Sequence, residues 1–134
     1  MEADMKGITR IACLMACLPL GAAIAADFDG SKVLICAPVE AMDCAGGQAC
    51  GRGRPADIGA PAFFRVDVEK KAISGPKRAT QIRFMEKGAN QLLLQGTELG
   101  YAWTFALNSD DGTMAVTFVD REGAAVLFGS CTPL

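Results

Sequence analysis

The chain of 134 residues carries 13 Lys and Arg against 15 Asp and Glu, a net charge of −2, and has no histidine. That balance implies no polyelectrolyte partner such as nucleic acid. Without an imidazole, Ser-His-Asp and Cys-His catalysis within the chain are excluded.

Lys6 and Arg10 precede the apolar run IACLMACLPLGAAIA, and Ala23-Ile24-Ala25 offers small residues for cleavage. A basic start, an apolar middle and a small-residue end are the layout of a secretory signal peptide, here over residues 1–25. The run of about fifteen residues is shorter than the roughly twenty a helix needs to cross a bilayer, so no transmembrane span is expected after its removal. Glu2 and Asp4 are unusual in a leader and make Met5 a candidate start. The alternative is a lipoprotein signal, in which Leu14-Met15-Ala16-Cys17 resembles a lipobox and Cys17 carries the lipid. Met15 fits that pattern poorly, and the apolar stretch continues past the cysteine. The expected location is periplasmic or secreted.

Cleavage removes Cys13 and Cys17 and leaves Cys36, Cys44, Cys50 and Cys131. In an oxidising compartment an even number of cysteines means disulfides first. Their spacings match no common zinc ligand pair, and histidine is absent, so neither metal nor cofactor is expected. Four cysteines allow three connectivities. The expected one pairs Cys44 with Cys50, where Gly46 and Gly47 permit a tight loop, and Cys36 with Cys131; a free reactive Cys131 is the alternative.

Residues 26–61 read as an N-terminal strand, Lys32 to Ala37, followed by an irregular loop dense in Gly and Pro from Ala45 to Pro61. From Ala62 the pattern becomes short alternating segments. Phe64, Val66 and Val68 alternate with Arg65 and Asp67, and Ile82 and Phe84 with Gln81 and Arg83. After the apolar Leu92-Leu93-Leu94, Tyr101, Trp103, Phe105 and Leu107 fall on one face. Asp111-Gly112 ends a hairpin turn, Met114, Val116 and Phe118 alternate, and a last strand runs from Ala124 to Cys131. Some seven strands at spacings near ten residues argue for an all-β antiparallel meander over residues 62–134, with 26–134 forming one domain. Such a sheet has two exposed edges unless it curls, so a small up-and-down barrel or a strongly curled sheet is expected, with a two-sheet sandwich as the other possibility. Closure would make Cys36, on the first strand, a neighbour of Cys131, on the last.

The stretch GYAWTFALNSDDGTMAVTFVDREGAAVLFGSC resembles the closing hairpins of small exported proteobacterial β-rich proteins of unknown function. More loosely it is similar to the membrane-bound inhibitor of c-type lysozyme family, and that likeness implies a periplasmic barrel stapled from an early strand to the end. The family's lysozyme-contacting loop has no counterpart in this chain, so no inhibitory residue is carried over.

Basic residues concentrate between Arg52 and Lys87, nine against four acidic ones. Arg52 and Arg54 adjoin the expected Cys44–Cys50 clasp and are candidates to grip a carboxylate or phosphate on a protein or envelope component. Tyr101 and Trp103 are candidates for a ligand-facing aromatic patch, because barrel interiors and mouths are common small-molecule sites. The carboxylate pairs Asp110 with Asp111 and Asp120 with Glu122 sit at turns, where solvation keeps them poor acid–base catalysts. Asn108, Asp110 and Gly112 fit a hairpin turn better than a calcium loop. The expected function is therefore a noncatalytic exported binding domain acting through its Gly/Arg loop. The alternatives are a small-ligand barrel, a lysozyme-inhibitor-like protein and a carboxylate-based hydrolase.

Overall fold

The computed structural model describes residues 27–134. The leader, its cleavage site and the Cys17 alternative lie outside the described residues. Ten strands form one antiparallel sheet: β1 (Leu34–Ala45), β2 (Gly51–Gly53), β3 (Phe64–Asp67), β4 (Ala72–Ser74), β5 (Ala79–Gln81), β6 (Phe84–Lys87), β7 (Gln91–Glu98), β8 (Tyr101–Asn108), β9 (Thr113–Val119) and β10 (Gly123–Pro133). Their order is β5-β4-β3-β1-β10-β9-β8-β7-β6, with β2 pairing β1 off this path. The sheet curls into a half-barrel. No helix among the described residues is long and apolar enough to cross a membrane.

Alternation decides what goes inside. On β8, Trp103, Phe105 and Leu107 are buried; on β7, Leu92 and Leu94; on β9, Met114 and Val116; on β10, Leu127 and Cys131. Phe64 and Val66 of β3, Leu34, Cys36 and Ala41 of β1 and Ile82 share the core, and Phe64 meets Phe105 edge-on with ring centroids 6.1 Å apart. One end is filled by Phe28, which packs against this core from the segment before β1. Gly112, at φ 75°, lies so close that a Cβ there would stand 2.5 Å from the Phe28 ring.

The first and last strands are direct neighbours, as closure requires, and Cys36 stands opposite Cys131. The sulfurs pair as Cys36–Cys131 and Cys44–Cys50, the expected connectivity. β1 is twice as long as the segment expected from sequence and continues through Cys44, because its far half is paired on both sides, with β10 and with β2. Its register slips between Pro38 and Glu40, leaving Val39 as the extra residue of a bulge, 72% exposed. Strict alternation from Cys36 would have carried Glu40 to the interior. The bulge instead turns Ala41 inward, 1% exposed, opposite Leu127. Gly129, opposite Pro38, makes the close approach possible: a Cβ there would lie 2.1 Å from the Ala37 carbonyl oxygen.

Two expectations need correction. The Gly/Pro-rich stretch from Ala45 to Pro61 is not wholly irregular, since it holds β2 and a short 3-10 helix, Pro55–Ile58, that starts at proline and ends on Gly59 at φ 75°. Ile82 and Phe84 do not share one half-buried strand: Ile82 is buried in the break between β5 and β6, whereas Phe84 is 47% exposed. That break is where the sheet's two ends meet. β5 pairs β4 and β6 pairs β7, yet the two are successive pieces of one segment. At the break the Ile82 N–H donates to the Lys71 carbonyl at 2.9 Å on the β4 side, and the Arg83 N–H to the Gln95 carbonyl at 2.8 Å on the β7 side.

Gly96 sits at the seam opposite Trp103, and a Cβ there would fall 2.3 Å from the indole and 2.6 Å from the Gln81 carbonyl oxygen. Gly96→Ala is therefore expected to destabilise the fold by about 1–3 kcal/mol, read as a lowered urea midpoint. Loss of Cys36–Cys131, whose sulfurs join residues 95 apart, is expected to cost roughly 4–5 kcal/mol in the loop-entropy treatment. Cys44–Cys50 closes a separation of 6 and should contribute only about 2 kcal/mol on the same basis. Comparing paired Cys→Ser variants in urea tests that ranking.

Candidate ligand-binding mouth

The end of the half-barrel away from Phe28 is open, and behind it lies a cavity of about 610 Å³. Its wall follows from strand register. Asp43 is opposite Ala125, Ala125 opposite Phe118, Phe118 opposite Trp103, and Trp103 opposite Gly96. This row therefore carries a carboxylate, a small residue, two aromatic rings and a glycine around the inside of the mouth. Beyond it the rim carries Glu98, Tyr101, Asp120 and Glu122. Across from these, Ile58, Gly59, Ala60 and Pro61 form a second wall, with Ile58 and Ala60 packed on the core.

Trp103 is 3% exposed and fixed in place: its indole N–H donates to Thr80 Oγ1 at 3.1 Å, and the Thr80 hydroxyl donates to the Thr97 carbonyl. With its polar end satisfied at the seam, the ring offers the cavity an apolar face. Tyr101 is 45% exposed at the rim. Beside it the β7–β8 turn places Leu99 at φ 48° and Gly100 at φ 88°, and Leu99 projects exposed over the opening.

The segment over the second wall is held by Arg54 and Asp57. The Arg54 backbone N–H donates to Asp57 Oδ2 at 2.9 Å and its guanidinium to Asp57 Oδ1 at 2.8 Å. The guanidinium hydrogen bonds hold the Asp57 carboxyl below the usual carboxylate range, and the same contact raises Arg54. Arg52 pairs with Glu40 at 2.8 Å. Tyr101 and Trp103 thus come together at the mouth, whereas Arg52 and Arg54 lie outside it, each already facing a carboxylate.

The two carboxylate pairs part company. Asp110 and Asp111 lie in the β8–β9 turn by the Phe28 end, where Asp111 is lowered chiefly by accepting the Thr113 backbone N–H. Asp120 and Glu122 lie at the mouth, where Asp120 Oδ1 accepts the Glu122 and Gly123 N–H groups at 2.8 and 3.0 Å. No group of three or more His, Cys, Asp or Glu among the described residues is placed to hold a metal ion. Asp43, Glu98 and Phe118 are site residues that the sequence reading did not single out. Counting inward positions along β7 and β9 would have found Glu98 and Phe118; the bulge conceals the face of Asp43.

Asp57 has a depressed folded pKa, so the stabilisation it gives is present above its unfolded value and is lost as pH falls through the folded one. Amide protection at Gly59 and Ala60 is expected to hold from neutral pH down to about 4 and to drop below that. Hydrogen exchange read by NMR checks this, with Asp57→Asn expected to show the loss at every pH. Comparison of the chain with family models, curated proteins and solved structures returns no match.

Proposed function

We propose that the chain is a noncatalytic binding domain, exported to the periplasm or secreted, whose mouth takes the apolar body of a small molecule. The cavity carries this reading. Its volume of about 610 Å³ lies within the roughly 300–1,000 Å³ of small-molecule sites, and its interior is largely aromatic and aliphatic, with the charged residues gathered at the rim. Two disulfides are consistent with an oxidising compartment and support export.

The mouth is favoured over the Gly/Arg loop for an electrostatic reason. Arg52 and Arg54 already face Glu40 and Asp57, so gripping a partner's anion would exchange one exposed ion pair for another, with little net gain. A hydrolytic role finds less support, since Asp120 is occupied in its own turn and the chain offers no imidazole.

The chain has a single tryptophan, and it lines the cavity. Titration with octan-1-ol is expected to give a saturable shift of Trp103 fluorescence. Ala125→Phe, which fills the gap between Asp43 and Phe118, is expected to weaken binding about tenfold or more while the variant remains folded by circular dichroism. Arg52→Ala, which removes only the outer ion pair with Glu40, should leave the titration unchanged. A flat titration of the unaltered protein would remove this reading.

A further inference from the structure

The rim of the mouth is acidic. Asp43, Glu98, Asp120 and Glu122 face or border the opening, and Arg78 is the cation among the lining residues, 4.0 Å from Glu98. Glu122 is paired with Arg121, and one oxygen of Asp120 is used by its turn. Among the described residues Asp43 has no ion pair, and it alone of these carboxylates stands in the same row as Trp103, separated from it by Ala125 and Phe118. The row thus leads from a carboxylate, past an alanine that leaves space, to two aromatic faces.

Resting on the reading of the mouth as a ligand site, we propose that its ligand is an organic cation with an apolar body, the charge held against Asp43 and the body laid over Phe118 and Trp103. Two features converge on a positive charge. A carboxylate at the lip of a low-dielectric cavity attracts a cation more strongly than one in open water. The balance of the lining points the same way, since Asp43, Glu98, Asp120 and Glu122 bring carboxylates to the mouth where Arg78 is the cation among the lining residues, and a quaternary ammonium, being weakly hydrated, loses little on leaving water. An anionic amphiphile would meet the same carboxylates as repulsion, so the rim discriminates by charge while the interior discriminates by shape.

Three probes of equal chain length test this: octyltrimethylammonium, octan-1-ol and octyl sulfate, each titrated below its micelle concentration by Trp103 fluorescence and calorimetry. The expected order is cation, then alcohol, then anion, with the cation favoured over the alcohol by about three- to tenfold at low salt and less at 0.5 M salt. Asp43→Asn should remove most of that preference and leave octan-1-ol binding unchanged; Glu98→Gln gives the same comparison where Asp43→Asn does not fold. If the alcohol binds but the cation binds no better, and neither salt nor the variants alter the ratio, the charge assignment is overturned while the apolar mouth stands. If none of the three binds, both fall.

Discussion

The pairing of β1 with β10 is the constraint on which the rest of the molecule depends. It joins the two ends of the described chain in one ladder of eleven residue pairs, and Cys36–Cys131 fixes its register covalently. A sheet built from short hairpins needs such a long-range contact, because each hairpin alone is marginal and the loop to be closed is costly in entropy. With the register fixed, the order of side chains around the interior follows: the pair Asp43 and Ala125 on these two strands sets the row that continues through Phe118 to Trp103.

Two local irregularities convert that ladder into a site. The Val39 bulge reverses the inward face of β1 halfway along, so the near half contributes Leu34 and Cys36 to the core while the far half brings Ala41 inward and Asp43 to the mouth. Glu40 is turned out to Arg52 by the same displacement. On the opposite side, the break at Ile82 lets one segment serve both ends of the sheet, and the missing side chain of Gly96 admits the indole of Trp103 beneath it. Curvature, a wide mouth and a filled base are then properties of the same sheet.

Much of this was legible in the residues. The alternation of Tyr101, Trp103, Phe105 and Leu107, the Asp-Gly turn and the sulfur arithmetic are local or compositional signals, and a curled meander follows from them because exposed sheet edges are unfavourable. The mouth was less legible. Trp103 and Tyr101 stood out by size, but Asp43 belongs to the site only through a bulge, and a bulge is one unpaired residue that shifts a period of two without changing composition. Ile82 and Phe84 misled for a related reason: alternation over three residues cannot reveal that the chain changes neighbours between them. The arginines of the Gly-rich stretch read as free because their partners, Glu40 and Asp57, become neighbours only after β2 folds back on β1 and the 3-10 helix forms.

Val33 and Leu134 are hydrogen-bonded to each other at the Phe28 end, where β1 begins and β10 finishes. At about 3.3 Å per strand residue, roughly 30–40 Å of strand separate them from the opening. The chain therefore enters β1 and leaves β10 at the filled pole, and a tether, tag or surface attached just before β1 or just after β10 leaves the entrance facing outward. The same proximity suits the domain to circular permutation: a short linker from the end of β10 to the start of β1 would span only neighbouring strands, and new ends could be opened at an exposed turn without unpicking the ladder that organises the fold.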